Sequence, residues 1–388
     1  ALLPEILGEP PYREVDLRHE LQNYVIWLGQ EVVVGDLLSA LERIFCCPEG
    51  QLKLSKAGGK ALGLTELISD AALTLEAEVP LELLLRSCRV SLAPSRASRP
   101  PLSELLHLNT AGGSTSEFAA GVCTAYGPRV SNEDAYICDP DWKPGKGGLF
   151  AVCDGHGGAA ISQALPSVLT SILSSVEVSA SSDAIKAAFI EADEELRRSL
   201  ETTADRCGST CVLGLILPRG GSGSQHRIIL ANLGYSRGLL YRPRGEWEHL
   251  VATCDHKPDV PSEKKRIRAA GGYVIPSDDA QPARLDAVLA TSRAFGNFRF
   301  KDPAQTPGTR KVSSVPDVSI LEGRAGDVLV LTSDGVLDVL SSTEVTSFAV
   351  RGLQATGDAM EAAADVVWAA LQANTQDNVT CVVVQLQG

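Results

Sequence analysis

The stretch Leu149-Phe150-Ala151-Val152-Cys153-Asp154-Gly155-His156-Gly157-Gly158 joins an apolar run to a glycine-rich turn that carries a carboxylate. Consecutive apolar residues of this length predict a buried strand, and the glycines allow a tight turn directly after it. Asp154 therefore stands at the end of a strand. Taken alone this turn is a weak signal, since an Asp in a turn is ordinarily solvated or caps a helix.

Three further short motifs place a carboxylate at a strand end or a turn, so folding could gather all four into one site. Grouped carboxylates raise one another's pKa unless a cation neutralises them. A set of oxygen ligands without a Cys or His cluster favours Mg²⁺ or Mn²⁺ over Zn²⁺. The three motifs are Arg129-Val130-Ser131-Asn132-Glu133-Asp134, Ser333-Asp334-Gly335 and Asp377-Asn378.

The four motifs, in their residues and their order, resemble those of the metal-dependent (type 2C) Ser/Thr protein phosphatases. The resemblance extends from about Glu117 to the C-terminus. The resemblance implies an α+β fold whose catalytic domain is a β-sandwich of two antiparallel sheets flanked by helices. It also implies hydrolysis of phosphoserine and phosphothreonine in phosphoprotein substrates by a metal-activated water. Further agreeing segments are Cys207-Gly208-Ser209-Thr210, Ala231-Asn232-Leu233-Gly234-Tyr235-Ser236-Arg237-Gly238, Asp255-His256-Lys257-Pro258 and Ala290-Thr291-Ser292-Arg293-Ala294-Phe295-Gly296.

The resemblance also implies a ligand set for two Mg²⁺ or Mn²⁺ ions. Asp154 is expected to bridge both ions. Glu133 and the carbonyl of Gly155 would complete the coordination of one ion, and Asp334 and Asp377 that of the other. Waters would fill the remaining octahedral positions that Mg²⁺ prefers.

Three other residues receive catalytic roles. Arg129 is expected to bind the substrate phosphate through its guanidinium, although it could simply be an exposed arginine in a turn. His156 is expected to act as general acid towards the leaving oxygen, the alternative being a structural hydrogen bond. Asp134 is expected to orient a metal-held water without binding the metal itself.

The sequence departs from the family pattern at three places. Tyr235 and Asn297 stand where the family commonly has Asp, and Arg284-Leu285-Asp286-Ala287 replaces the usual Arg-Val-Asn-Gly. The first missing Asp usually helps hold a third metal, so we expect a third ion to be absent or weakly held, with Asp338 as a partial ligand. These losses leave a second hypothesis open, namely a pseudophosphatase that binds a partner with little or no turnover.

Composition narrows the function classes further. The chain has 388 residues, 44% of them hydrophobic, and a formal net charge of −13. That charge argues against nucleic-acid and membrane partners, because both bind basic surfaces. Ten cysteines without a C-x-x-C pair favour a reducing compartment. We therefore expect an intracellular protein, cytoplasmic or nuclear.

The chain divides into three predicted regions: a small α+β module over residues 1–91, a linker over residues 92–116 rich in Pro, Gly, Ser and Arg, and the catalytic domain over residues 117–388. The module's predicted strand (20–27), helix (32–45) and later strands (51–55 and 81–86) resemble the ubiquitin-like β-grasp fold. An unrelated α+β cap is the alternative. A protein partner of this module is the functional expectation.

Within the catalytic region, apolar runs predict strands and 3.6-residue periodicity predicts helices. Ser341-x-x-Glu344 is a capping-box spacing, and the basic run 263–268 is interpreted as a solvated helix face. The predicted strands are residues 118–126, 149–153, 210–217, 227–233, 238–242, 328–332 and 379–386, and the predicted helices are residues 161–173, 183–200 and 358–374.

Overall fold

The computed structural model forms two compact units, Ala1–Pro94 and Ser95–Gly388. This boundary falls inside the predicted linker. The residues that the structure describes are 9–19, 22–30, 52–56, 60–61, 73–77, 108–143, 147–175, 181–200, 205–217, 225–242, 249–278 and 281–387.

The described part of the N-terminal unit is a five-stranded sheet in the order β2-β1-β5-β3-β4, in which β1 and β5 run parallel and the other pairs antiparallel. The strands over residues 9–19 and 73–77 were not expected from the sequence. The predicted helix 32–45 and final strand 81–86 lie outside the described residues, so the β-grasp assignment stays a prediction. The strands are β1 (Glu9–His19), β2 (Gln22–Gln30), β3 (Leu52–Lys56), β4 (Lys60–Ala61) and β5 (Leu73–Ala77).

The C-terminal unit is built from sixteen described strands, six described α-helices and two described 3₁₀ helices, Phe298–Phe300 and Pro307–Thr309. Its strands are β6 (Leu108–Ser114), β7 (Phe118–Ala125), β8 (Ala135–Lys143), β9 (Gly147–Cys153), β10 (Gly155–His156), β11 (Gly208–Ser209), β12 (Cys211–Leu217), β13 (His226–Leu233), β14 (Arg237–Arg242), β15 (His249–Ala252), β16 (Val274–Ile275), β17 (Arg284–Leu285), β18 (Phe295–Gly296), β19 (Asp317–Gly323), β20 (Val328–Thr332) and β21 (Val379–Leu386). Its helices are α1 (Ala160–Ser175), α2 (Ser182–Leu200), α3 (Pro261–Ala269), α4 (Asp334–Leu337), α5 (Ser342–Thr356) and α6 (Ala359–Gln372).

Two antiparallel sheets form the sandwich. One has five strands in the order β19-β13-β12-β9-β8, and the other six in the order β15-β14-β20-β21-β7-β6. Apolar side chains from both sheets, among them Phe118, Phe150 and Leu329, interleave in the layer between them. Helices α1 and α2 pack on the outside of the five-stranded sheet, and α4 to α6 on the outside of the six-stranded sheet. This confirms the predicted layered α+β fold.

The predicted linker 92–116 is wrong at its C-terminal end. Residues Leu108–Ser114 form the edge strand β6, paired antiparallel with β7 from Leu108 opposite Ala125 to Ser114 opposite Ala119. Gly112 and Gly113 argued against a strand, but pairing with a neighbouring strand outweighs local propensity in a sheet. The catalytic domain therefore begins before residue 117.

Two small additions position the site. Strands β10, β11 and β18 form a three-stranded sheet that brings His156 opposite Gly208, and Gly208 opposite Gly296. The hairpin β16–β17 packs with α3 over its own small apolar core, which includes Ile267 and Leu285. We call residues 260–289 the flap. No helix among the described residues is long and apolar enough to cross a bilayer.

Most predicted elements of the catalytic region are found within about two residues of their expected bounds. The capping box is present, with Ser341 accepting from the Glu344 backbone N–H and Glu344 accepting from that of Ser341. Strands β8 and β19 were missed. β8 contains an Asp-Pro-Asp segment, and β19 is an edge strand whose side chains are mostly exposed, so neither shows a clear apolar pattern.

Candidate active site

Asp154 lies at the carboxyl end of β9, with 6% of its surface exposed. Its carbonyl oxygen accepts a 2.9 Å hydrogen bond from the backbone N–H of Thr210, which ties the turn to the neighbouring strand. Position 155 accommodates only glycine, because a Cβ there would overlap the Glu133 carbonyl oxygen. The predicted strand-then-turn thus places Asp154 as expected.

Asp334 lies at the start of α4, directly after β20 on the other sheet. Its backbone N–H points at Oδ2 of Asp154 from 3.3 Å, so the two sheets meet at these residues. Asp377 comes from the turn before β21. Gly335 lets this turn approach closely, since a Cβ on it would overlap the carbonyl oxygen of Asn378. Three of the four acidic motifs therefore meet at one end of the sandwich.

The fourth motif is held in place by Asn378. Its side-chain amide donates to the carbonyl oxygens of Tyr126 (2.9 Å) and Ser131 (2.8 Å), while its Oδ1 accepts from the Glu133 backbone N–H at 2.9 Å. One side chain thereby fixes both ends of the loop that carries Arg129 and Glu133. Sequence reasoning assigned no role to Asn378, although its position directly after Asp377 in a motif was a signal.

Glu133 faces the turn that follows Asp154. Its Oε2 accepts a 3.0 Å hydrogen bond from the backbone N–H of Gly158, and its carbonyl oxygen accepts from the Ser162 hydroxyl on α1. Both partners are protein donors that leave the other carboxylate oxygen of Glu133 available to a ligand. This arrangement agrees with the predicted metal-binding role without testing it.

The electrostatics show carboxylates crowded in a poorly solvated place. Burial, and then the charge of Asp334, raise the pKa of Asp154 well above its usual range. Burial, followed by the charges of Asp338 and Asp377, raises the pKa of Asp334 to about 8. Buried carboxylates that repel one another in this way are the environment that a bound cation relieves.

Asp134 is set slightly apart from the ligand carboxylates. It accepts a 2.6 Å hydrogen bond from the Thr380 hydroxyl, and Thr380 in turn contacts Thr124 at 2.7 Å. Burial raises the pKa of Asp134 to about 6, although the hydrogen bonds from Thr380 and Ser333 work in the opposite direction. A carboxylate anchored by hydroxyls beside the cluster suits the predicted role of orienting water.

Arg129 does not point freely into solvent. Its guanidinium donates to Oδ2 of Asp377 at 2.8 Å and to the carbonyl oxygen of Gln376 at 2.8 Å. The predicted phosphate-binding arginine is therefore paired with a predicted metal ligand. It lies at the site, as expected, but in a contact that the sequence did not suggest.

His156 is hydrogen-bonded to one of the residues that depart from the family pattern. Its Nε2 lies 2.7 Å from Oδ1 of Asn297. Burial lowers the pKa of His156 below its usual range, and the Asn297 hydrogen bond offsets part of this effect. The structural role that sequence reasoning offered as the alternative is thus real, and it is compatible with a catalytic role for the other ring nitrogen.

Tyr235 lies beside the carboxylate cluster. Burial, and then the charges of Asp154, Asp334 and Asp377, raise the pKa of its phenol well above the usual range. The phenol is therefore neutral at pH 7. The neighbouring residues are fixed, with Ser236 hydrogen-bonded to the Thr210 hydroxyl at 2.5 Å, so Tyr235 occupies a defined place beside the site.

The interpretation of residues 263–268 as a solvated helix face is wrong in part. In α3, Lys265 and Arg268 are exposed, but Glu263 is 2% exposed and accepts from Arg266 (2.6 Å), Arg293 (2.8 Å) and Ser292 (2.6 Å). Burial alone would raise the pKa of Glu263. The hydrogen bond from Arg293 and the charges of both arginines outweigh it and lower the pKa to about 2. This ion cluster fastens the flap to the segment before Phe295.

Among the described residues, no three acidic, His or Cys side chains are already grouped as ligands of one ion. The contacts explain why. Arg129 holds Asp377, and the backbone N–H groups of Gly158 and Asp334 lie against Glu133 and Asp154. The donor set nevertheless fits Mg²⁺ or Mn²⁺, because it consists of carboxylate and carbonyl oxygens grouped around the buried Asp154.

Comparison with known proteins agrees with this site. Residues 118–379 match the family described as protein phosphatase 2C. The chain belongs to the protein phosphatase 2C family. The matched segment contains every predicted site residue, so the acidic cluster lies in a metal-dependent Ser/Thr protein phosphatase domain.

Two curated relatives illustrate the extent of the similarity. The probable protein phosphatase 1N of Homo sapiens is 34% identical over 308 residues, which is 76% of this chain and 65% of that protein. The probable protein phosphatase 2C 59 of Arabidopsis thaliana is 33% identical over 283 residues, covering 71% and 82%. The chain thus spans slightly less than two thirds of the human relative's length and more of the plant one's.

A solved structure of similar fold is a phosphatase from a pathogenic strain of Toxoplasma gondii. It is 27% identical to this chain, with a TM-score of 0.63, and the alignment covers 72% of this chain and 96% of that one. The alignment therefore covers nearly all of that structure, and the family match over residues 118–379 leaves the N-terminal unit outside it.

Proposed function

We propose that this protein is a phosphoprotein phosphatase that hydrolyses phosphoserine and phosphothreonine with the help of two Mg²⁺ or Mn²⁺ ions. Asp154 would hold both ions, with Glu133 and the Gly155 carbonyl on one side and Asp334 and Asp377 on the other. When bound, the ions would supply charge neutralisation and a more acidic water. The observation that carries the proposal is the crowding of buried carboxylates with raised pKa values at the meeting point of the two sheets.

The other residues would handle phosphate, water and proton. Arg129 would bind the phosphoryl oxygens, while Asp134, anchored by Thr380, would accept a hydrogen bond from the attacking water. As the phosphorus–oxygen bond breaks, His156 would give a proton to the Ser or Thr oxygen, and the proton lost by the water would later restore it. The net reaction consumes one water and releases the alcohol and inorganic phosphate.

We further propose that a third ion is absent or only weakly held. The neutral phenol of Tyr235 stands beside Asp154 and Asp334, where a carboxylate would be the stronger ligand. Asp338 remains near Asp334, since its charge contributes to the raised pKa there. A site in which Asp338 is the single additional carboxylate would bind a hard cation poorly.

A pseudophosphatase is the less favoured reading. A scaffold has no physical need for buried carboxylates that repel one another, because each destabilises the fold unless a cation is bound. Loss of an acid at Tyr235 affects only the third ion in this scheme. The sequence retains all five residues that would supply the oxygen ligands of the two ions.

An assay with a phosphothreonine peptide and with p-nitrophenyl phosphate, with and without Mn²⁺, tests the proposal. We expect turnover with Mn²⁺ or Mg²⁺ and none after EDTA treatment. Undiminished turnover in metal-free protein would contradict the two-ion scheme. Binding of the phosphopeptide without turnover under any metal condition would support the scaffold instead.

We also propose that the N-terminal unit binds a protein partner and that the chain works inside the cell. The first proposal is motivated by the separate N-terminal sheet of strands β1 to β5. It is also motivated by the plant relative, since 82% of that protein is matched by only 71% of this chain. The second is supported by buried free thiols such as Cys153 and Cys381, which act as small apolar residues in the strands. Neither nucleic acid nor a membrane is proposed as a partner of this acidic chain.

A further inference from the structure

Asn297 has an unusual backbone conformation at the turn after β18. Its φ of 49° and ψ of 41° lie in the left-handed region, which Asn tolerates better than most residues with a side chain. Its backbone N–H donates to the Cys207 carbonyl oxygen at 2.7 Å. The turn is therefore held against the strand that faces His156.

A buried ion pair fixes the backbone on both sides of Asn297. On one side, the Gly296 N–H donates to Oδ1 of Asp193 on α2 at 2.9 Å. On the other side, Nζ of Lys301 donates to the two carboxylate oxygens of Asp193 at 2.7 and 2.8 Å and to the Ala294 carbonyl oxygen at 2.7 Å. Both charged side chains are fully buried, so breaking either contact would leave an unpaired charge in the interior.

The side chain of Asn297 can be oriented from its two contacts. Its Nδ2 donates to the Arg206 carbonyl oxygen at 3.2 Å, which turns Oδ1 towards Nε2 of His156 at 2.7 Å. Because an amide oxygen can only accept, the proton of this hydrogen bond must belong to Nε2. In the described part of the chain, Nδ1 of His156 is buried and has no hydrogen-bond partner.

We propose that Asn297 is a positioning residue that holds His156 in the Nε2–H tautomer and leaves Nδ1 as the nitrogen that exchanges a proton with the substrate. The Asp193–Lys301 pair keeps Asn297 in the conformation that this requires. The inference rests on the proposed general-acid role of His156. It goes beyond that role by assigning the reacting nitrogen and the side chain that selects it.

The tautomer can be observed without any turnover. In full-length protein labelled with ¹⁵N-histidine, at pH 7.5, the resonances of His156 are assigned by their loss in His156→Gln, and we expect Nε2 to carry a proton whether or not Nδ1 is protonated. Asn297→Gly removes the acceptor while keeping a residue that adopts positive φ freely. We expect a mixture of tautomers in this variant. Asn297→Asp retains an oxygen acceptor and should retain the Nε2–H tautomer.

Kinetics then separate positioning from stability. A general acid contributes roughly 100- to 10,000-fold, so partial loss of its orientation in Asn297→Gly should lower kcat by about 10- to 100-fold, with KM nearly unchanged. Asn297→Asp should restore most of kcat. Asn374→Gly is the matched control, because Asn374 also has a positive φ of 59°, is exposed and takes no part in the proposed chemistry.

An Nε2 without a proton in wild-type His156 would overturn the inference without any variant. So would a pure Nε2–H tautomer in Asn297→Gly. If the tautomers mix but kcat does not fall, Asn297 selects the tautomer as inferred, and the role of His156 as proton donor is what fails.

Discussion

Arg129 and Asp377 form an ion pair at the entrance of the carboxylate cluster, with a guanidinium nitrogen 2.8 Å from Oδ2 of the carboxylate. The side chains are 54% and 36% exposed, so the pair is accessible to solvent and weak in itself. In the protein without ions, the arginine neutralises one carboxylate that a cation would otherwise neutralise. Ion binding to Asp377 would thus free Arg129 for the substrate phosphate.

Arg129→Ala is expected to raise KM for a phosphopeptide by about 10- to 100-fold, since hydrogen bonds to charged groups contribute roughly 1.5–3 kcal/mol. Arg129→Lys keeps the charge but not the two-pronged geometry, so its KM should lie between those of wild type and Arg129→Ala. Arg198→Ala serves as control, because Arg198 is 70% exposed and pairs with Glu195 on α2. Steady-state kinetics that give Arg129→Ala and Arg198→Ala the same KM would contradict the phosphate-binding role.

Asp154→Asn should abolish nearly all turnover, by about a thousandfold, because the ions would lose their shared ligand. The same change should stabilise the metal-free protein, since it replaces a buried carboxyl group whose pKa is raised by burial and then by the charge of Asp334. Thermal unfolding with and without Mn²⁺ measures this. Asp141→Asn is the control, as Asp141 is exposed on β8. An Asp154→Asn variant that Mn²⁺ stabilises as much as wild type would refute the ligand assignment.

Tyr235→Asp should create an additional, weak cation site between residues 235, 334 and 338 and raise kcat more than it changes KM. Tyr235→Phe, which removes only the hydroxyl, should leave the ion stoichiometry unchanged. A second substitution, Asn297→Asp, is not needed to create this cation site, because Asn297 contacts His156 rather than the carboxylates. Titration calorimetry with Mn²⁺ that finds the same number of sites in Tyr235→Asp as in wild type would show that this residue does not determine the third ion.

Glu263 should make stability depend on acid pH. A folded-state pKa lowered from 4.5 to about 2 contributes stability that is full above about pH 4.5 and is lost as the pH falls towards 2. Urea unfolding of wild type and Glu263→Gln should therefore differ by about 2 kcal/mol less at pH 3 than at pH 7. Glu361→Gln, on helix α6, is the control variant for the same unfolding measurements. A wild-type advantage that does not change with pH would mean that the carboxylate's charge is not what stabilises the flap.

Trypsin should cut first at Arg96, in the segment whose composition resists helix and strand, because Pro100 blocks cleavage after Arg99. The product beginning at Ala97 retains β6 and should keep the thermal stability and metal-dependent turnover of the full chain. A fragment that begins at residue 115 lacks this strand and should be less stable, because β6 pairs with β7 along its whole length. Equal melting temperatures for the two fragments would show that β6 is dispensable.

Sequence reasoning succeeded where a pattern is local. Strand β9 and the turn after it follow from an apolar run and glycines, and β20 and β21 were predicted with the bounds that the structure has. Sequence reasoning failed where hydrogen bonding to a neighbouring strand, rather than local sequence, determines that a strand forms. The glycines of β6 and the exposed face of β19 carry no strand signal of their own, yet each strand obtains its hydrogen bonds from a neighbour.

The amino-acid sequence by itself determined the family, the layered fold and the set of carboxylates, because these follow from short motifs and from their order along the chain. Only the tertiary structure decided how the side chains are paired. Arg129 meets Asp377 across 248 positions of the chain, and His156 meets Asn297 across 141. Such contacts arise from strand order and from turns fixed by distant residues, so no spacing in the sequence predicts them.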